Sequence, residues 1–276
     1  MREGRRYPGD HRPHRHARRR DAPRERRDAH RGLPRRGASA PLRRQGQRLV
    51  SAYAVDAVLF DLDGTLVDSH QTIAEAMVAA LRTFGHEIEV STLIPLIGPP
   101  MDALARNLGA SSEEAVQIND EYLRLYHHGY IQQTPEHDGA SALLERLSAA
   151  GIALGVVTNK VEEGARMVVD IEGWGAYFGV VVGRDTPNAA AKPSPLAALH
   201  ALSILDVSPE RAAFIGDTEF DAACGRAAGI RYVIALDTNR DAAFLRAEGA
   251  THIIHTLEEV GPLVLGTGVA PAGGAL

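Results

Sequence analysis

Short apolar runs, each stopped by polar or glycine residues, recur between Val55 and Ile254 and limit what this chain can fold into. Val55–Phe60 ends in Asp61-Leu62-Asp63-Gly64-Thr65, Ile152–Val157 in Thr158-Asn159-Lys160, Val180–Val182 in Gly183, and Ala212–Ile215 in Gly216-Asp217. Tyr232–Ala235 and His252–Ile254 complete the set. Runs this short and this uniformly apolar suit strands buried on both faces of a parallel sheet. Helical spacings fall between them. Ser141–Ala150 puts Leu143, Leu144 and Leu147 on one face and stops at Gly151, and Pro195–Leu205 and Ala222–Ala228 also have helical spacing. The alternation predicts an α/β fold, a doubly wound parallel sheet. Polar residues after the first, second and fourth runs then fall at the sheet edge where ligands of open parallel sheets bind.

Residues 69–138 break the alternation with helical periods and no convincing strand. Ile73, Met77, Ala80, Leu81 and Phe84 share a face before Gly85. Pro100 and Gly109 bracket a short helix, and Ser111-x-x-Glu114 has the pattern of a capping box. An all-helical insertion of this kind, directly after the first strand, is expected to sit over the strand edge as a lid. The expected organisation is a core of residues 50–68 and 139–265, the helical insertion 69–138, a basic disordered tail 1–49 and a flexible Gly/Ala-rich C-terminus 266–276.

The formal charge of −5 is the sum of two unlike parts. Residues 1–48 hold 17 arginines, no lysine and 5 acids, whereas residues 49–276 hold 13 basic and 30 acidic residues. The first part has too few large apolar side chains to offset its ordering entropy. Two functional readings of it are an electrostatic arm for nucleic acid or anionic lipid, and a transit peptide. The bland reading is a GC-rich upstream region read through, with translation beginning near Val50. The acidic body argues against a nucleic-acid surface on the folded part. The single Cys224 excludes an intrachain disulfide framework and a cysteine-based zinc site. No apolar run approaches a membrane span, so a soluble cytoplasmic protein is predicted.

The strongest chemical signal is Asp61-x-Asp63-Gly64-Thr65. A turn at Gly64 can bring both carboxylates round one site, one as nucleophile and the other handling protons. The bland reading is an acidic helix cap. Three further signals follow the later strands. Thr158-Asn159-Lys160 offers a hydroxyl, an amide and a cation; Lys192 lies in a loop stiffened by Pro193 and Pro195; Asp217 and Asp221 are acids four apart. Both lysines of the chain, Lys160 and Lys192, fall inside these motifs.

With these motifs in this order, residues 53 to about 260 resemble the haloacid dehalogenase-like superfamily of phosphatases. Thr158-Asn159-Lys160 and Ile97-Gly98-Pro99-Pro100 look like its phosphoglycolate phosphatase branch. The resemblance implies a Rossmann-like core with an inserted helical cap. It also implies attack on phosphorus by Asp61, proton transfer by Asp63, and phosphoryl oxygens held by Thr158 and Lys192 with Asn159 nearby. Mg²⁺ would be held by Asp61, the Asp63 carbonyl and Asp217, with Asp221 orienting Lys192 or a metal-bound water. Dehalogenases of the superfamily lack the second acid, so its presence points to phosphate. Phosphonate hydrolases of the superfamily need a cap lysine, and this chain has no lysine before Lys160.

The expected activity is hydrolysis of a small soluble phosphomonoester, phosphoglycolate first, by a monomer or homodimer with no membrane partner. The alternatives are a phosphomutase, a pyrophosphatase or 5′-nucleotidase, and, outside enzymes, a nucleic-acid-binding protein acting through the basic arm. Gly98 and Arg106 are candidates for binding the leaving group, Arg106 as a carboxylate clamp, with a solvent-facing Arg106 as the bland reading. Glu219 has no assigned role. Cys224 and Trp174 are expected to pack.

Overall fold

The computed structural model describes residues 54–266. The expectations for the basic tail, and for the C-terminus beyond Gly266, lie outside the described residues. Six strands form one sheet: β1 (Ala57–Phe60), β2 (Ala153–Val157), β3 (Phe178–Val182), β4 (Ala212–Gly216), β5 (Tyr232–Leu236) and β6 (His252–Ile254). Their order is β3-β2-β1-β4-β5-β6, and every neighbouring pair is parallel. The helices are α1 (His70–Thr83), α2 (Val90–Leu93), α3 (Met101–Asn107), α4 (Ser112–Leu125), α5 (Ala140–Ala149), α6 (Glu162–Ile171), α7 (Leu196–Leu205), α8 (Glu219–Ala227), α9 (Ala242–Glu248) and α10 (Val260–Val264).

Side-chain alternation along the strands explains the two layers of helices. Val58 and Phe60 of β1 enter one buried cluster with residues of α1, α5, α6 and α10. Ala57 and Leu59 enter the other, with residues of α7, α8 and α9. Each large aliphatic side chain buried this way contributes about 1.5–3 kcal/mol relative to exposure. The chain leaves β1 toward β2 and β3 on one side and reaches β4, β5 and β6 on the other. The crevice between the ends of β1 and β4 is therefore the topological switch point, where open parallel sheets place their ligands.

Between β1 and β2 the described residues form helical turns and no strand of the sheet; Val67 and Glu136 meet in an isolated bridge. Ile73, Met77, Ala80 and Leu81 of α1 are buried in one cluster with Ala115, Ile118 and Tyr122 of α4. No helix of the described residues is long and apolar enough to cross a membrane.

Three details differ from the sequence expectations. Helix α8 begins at Glu219, before Ala222, because Thr218 and Asp221 form a full capping box. At α4 only half of the expected box forms. The Ser111 hydroxyl accepts from the Glu114 N–H at 3.2 Å, while the Glu114 carboxylate turns to His86 at 3.1 Å. Helices α2, α6, α9 and α10 are additional; in α6, Gly164 in the first turn masks a buried stripe of Ala165, Val168 and Val169.

Candidate active site

The ends of the strands carry the chemistry. The Asp61 N–H still donates to the Ile215 carbonyl of β4 at 2.8 Å, so Asp61 leaves β1 in register with its neighbour. The next residues form a tight turn closed by Gly64 N–H to Val67 O at 2.8 Å. Gly64 has φ +81°, a conformation that side chains disfavour, and a Cβ there would run into the His70 ring and the Asp217 carboxylate. This turn places Asp61 and Asp63 on the wall of one cavity. The same cavity is lined by Thr158, Asn159 and Lys160 after β2 and by Arg184 after β3. Its opposite wall includes Gly98, Met101, Asn119 and Tyr122 from the helices between β1 and β2.

Lys192 is buried between two carboxylates, with Nζ 2.8 Å from Asp61 and 2.6 Å from Asp221. Asp221 is held in turn. Its second oxygen accepts from the Thr218 N–H at 3.0 Å and the Thr218 hydroxyl at 2.6 Å. Asp217, fully buried at the tip of β4, accepts from the Thr65 hydroxyl at 3.1 Å and the Asn239 amide at 3.3 Å. Oxygens of Asp61, Asp217 and Asp221 lie within 4.8 Å of one another.

Electrostatics follow from this crowding. Loss of water pushes Asp61 up to about 8; Lys192 pulls it down, and Asp221 and Asp217 add to the rise. Burial, and then the Asp221 charge, push Asp217 up to about 7. Burial alone would lower Lys192, but Asp221 and Asp61 hold it above the ordinary lysine value. Three buried carboxylates against one ammonium leave the cluster short of positive charge when they ionise. That deficit and the hard oxygen donors suit a divalent cation that prefers oxygen.

A second buried ion pair stands beside the first. Lys160 Nζ lies 3.0 Å from Asp63 and 4.3 Å from the centre of the Tyr126 ring. The other Asp63 oxygen is buried without a hydrogen-bond partner. The Thr158 hydroxyl accepts from the Lys160 N–H at 3.2 Å, which leaves its own proton to donate.

A sequence model of the haloacid dehalogenase-like hydrolases matches residues 58–235. The chain belongs to the haloacid dehalogenase-like hydrolase family. It is 34% identical over 184 residues to a phosphoglycolate phosphatase of Aquifex aeolicus, covering 65% of this chain and 84% of that one. It is 31% identical over 210 residues to the pyrophosphatase PpaX of Bacillus velezensis, covering 75% and 94%. A haloacid dehalogenase-like hydrolase from Streptococcus pneumoniae superposes with a TM-score of 0.67 at 27% identity, covering 75% of this chain and 97% of that one.

Within this hydrolase two of the expected substrate contacts have other hydrogen-bond partners. Arg106 does not line the cavity; it is exposed and pairs with Asp102 one helical turn away, at 3.0 Å. Asn159 lines the cavity, but its amide ties loops together. It donates to the Gly98 carbonyl at 2.9 Å and the Lys192 carbonyl at 3.3 Å, and accepts from the Lys192 N–H at 2.7 Å. Gly98 does line the cavity, with its carbonyl committed to Asn159.

Several neighbours of the site were not singled out from sequence. His70, lowered in pKa by burial, lies 3.7 Å from Asp217. Asn239 follows β5 and touches both Asp217 and His70. Glu219 pairs with Arg240 at 2.9 Å, and Arg240 also donates to the Ile97 carbonyl at 3.1 Å. Arg184, not Arg106, is the arginine that lines the cavity. The signal was positional: Arg184, Asn239 and Arg240 follow the third and fifth apolar runs as Thr158 follows the second.

Proposed function

We propose that this hydrolase is a Mg²⁺-dependent phosphatase of the cytoplasm, acting on a small soluble phosphomonoester with phosphoglycolate as the leading substrate. The observation that carries the reading is that two carboxylates lining one cavity are each paired with a separate buried lysine. Asp61 sits against Lys192 and Asp63 against Lys160. That separation suits different roles for chemically identical groups.

Asp61 attacks phosphorus in line and forms an aspartyl phosphate while the bond to the leaving oxygen breaks. Asp63, protonated from solvent when the anionic substrate binds, gives that proton to the leaving oxygen, then takes one from the water that attacks the phosphoenzyme. Inorganic phosphate leaves and Asp61 is regenerated. Lys192 keeps positive charge beside Asp61, and Lys192 with the Thr158 hydroxyl holds phosphoryl oxygens. Asp221 holds Lys192 in place. Asp61, Asp217 and the Asp63 carbonyl would hold Mg²⁺, which when bound neutralises the carboxylates and the phosphoryl oxygens. The helices between β1 and β2 act as a cap over the reacting groups. The similarity to a phosphoglycolate phosphatase and to a pyrophosphatase supports the substrate class.

The test is phosphate release with Mg²⁺ from phosphoglycolate, pyrophosphate, nucleoside monophosphates and sugar phosphates. Release from at least one, abolished by chelation, is expected. Hydrolysis that persists in chelator would remove the role given to Asp217.

A further inference from the structure

Arg184 is the guanidinium on the cavity wall, and the proposed reaction leaves it without a task. It follows Gly183 at the end of β3, and its side chain is 17% exposed, so it is not a free surface charge. Nη1 donates to Asp102 at 2.7 Å and Nη2 to the Asn119 side-chain oxygen at 3.1 Å. Asp102 opens α3 and Asn119 lies within α4, so Arg184 reaches from the sheet edge to the helices above it. Burial works against the Asp102 charge, but Arg184 and Arg106 hold its carboxyl below the ordinary range.

The donor count points to a ligand. A guanidinium has five N–H groups and accepts nothing. Two of them are committed here. Because Arg184 can only donate, Asn119 must present its oxygen to it, and this fixes the orientation of the amide. The Asn119 amino group then has no partner among the described residues, on a side chain that lines the same cavity. The lysines are already engaged, Lys160 by Asp63 and Lys192 by Asp61 and Asp221. Unused donors on adjacent side chains suit a group that only accepts, and a positive one suits an anion.

We propose that Arg184 and Asn119 form a subsite for a second anionic oxygen group, a carboxylate or a second phosphoryl group, carried by the part of the substrate that leaves. Arg184 is then the residue that selects the leaving group. This rests on the phosphatase reading and narrows it. Asp102 holds the fork in place and neutralises it until substrate arrives. The fork geometry matters, because planar two-point recognition of a carboxylate or phosphate is what a guanidinium offers over an ammonium.

The experiment compares kcat/KM of the full chain with Mg²⁺ on two arms. Phosphoglycolate and pyrophosphate leave an anionic remainder; ethyl phosphate and p-nitrophenyl phosphate leave none beyond the departing oxygen. The wild type should favour the anionic arm. Arg184→Gln should reduce the ratio of anionic to neutral arms by about 10- to 100-fold, the range of a lost charge-assisted hydrogen bond. If R184Q does not fold, Asn119→Leu gives the same comparison, with a smaller fall in the ratio. A drop confined to phosphoglycolate assigns the subsite to carboxylate, and one confined to pyrophosphate assigns it to phosphate. Equal loss on both arms, or no loss on either, overturns the proposal and leaves the phosphatase reading standing. A wild type that releases phosphate from no substrate overturns both.

Discussion

Stripping divalent metal from this protein should make its stability fall as pH rises from about 5 to about 7, opposite to the behaviour of ordinary salt-bridged carboxylates. In the unfolded chain Asp61 and Asp217 titrate near 3.8, and in the folded chain near 8 and 7. Between those limits the folded state holds a proton that the unfolded state has released. The stabilisation is complete below the unfolded value and is lost as pH climbs through the folded values. The two groups share one buried cluster, so one retained proton is the conservative count. Each pH unit then removes about 1.4 kcal/mol, and two units about 2.7 kcal/mol. For a folded body of this size that corresponds to a Tm lower by roughly 5–10 °C.

The assay is thermal unfolding followed by circular dichroism, in chelator and in saturating Mg²⁺, at about pH 5, 6 and 7. In Mg²⁺ the fall should flatten, because the cation replaces the proton and binds more tightly as the carboxylates ionise. Replacing both acids (Asp61→Asn with Asp217→Asn) should flatten the slope in chelator, since neither group is then left to hold the proton. A Tm in chelator that stays level or rises over this range would refute the account of the cluster. So would a double variant, with both Asp61 and Asp217 changed to Asn, that keeps the full wild-type slope.

Three further outcomes test individual residues. Asp61→Asn should leave phosphate release undetectable while raising the Tm in chelator at neutral pH, because it removes a desolvated acid from a self-repelling group; a variant that still turns over removes Asp61 as nucleophile. Gly64→Ala should cost about 1–3 kcal/mol in stability, from the positive φ and the encounter with His70 and Asp217, and an unchanged Tm would contradict the turn. Lys160→Met should lower kcat about 10- to 100-fold while changing KM less, since it frees the carboxylate that moves the proton; equal changes in both would point to substrate binding by Lys160.

Much of this site is legible in the sequence for a physical reason. In a parallel sheet the residue after a strand has one place to be, so a run such as Ala212–Ile215 locates Asp217 without further information. Local pattern also locates Gly64, because two acids two apart on an extended chain need a turn to meet. The same logic covers Lys192 only partly. Its loop is apparent, but its position between Asp61 and Asp221 depends on β1 and β4 being neighbours, which sequence spacing alone does not state.

What escaped is the wiring between distant segments. Arg106 and Arg184 are both lone arginines near apolar residues, and nothing local distinguishes them. The difference is that Arg106 is exposed on a short helix and does not line the cavity, whereas Arg184, just after β3, does. Asn159 shows the converse. A side chain next to a predicted phosphate ligand invites a substrate role, yet its amide joins the Gly98 and Lys192 backbones. Three strand-end loops converge on one stretch of the helical insertion through Arg240 to Ile97, Asn159 to Gly98 and Arg184 to Asp102. Each bond joins residues far apart in sequence, so each is invisible to periodicity and fixed only by strand order. The residues that hold the insertion against the sheet therefore come from the same loops as the residues assigned to chemistry. In such an arrangement a change of leaving-group preference at Arg184 alters the contact to α3 as well. This is why the substrate-ratio measurement, and not activity alone, separates recognition from support.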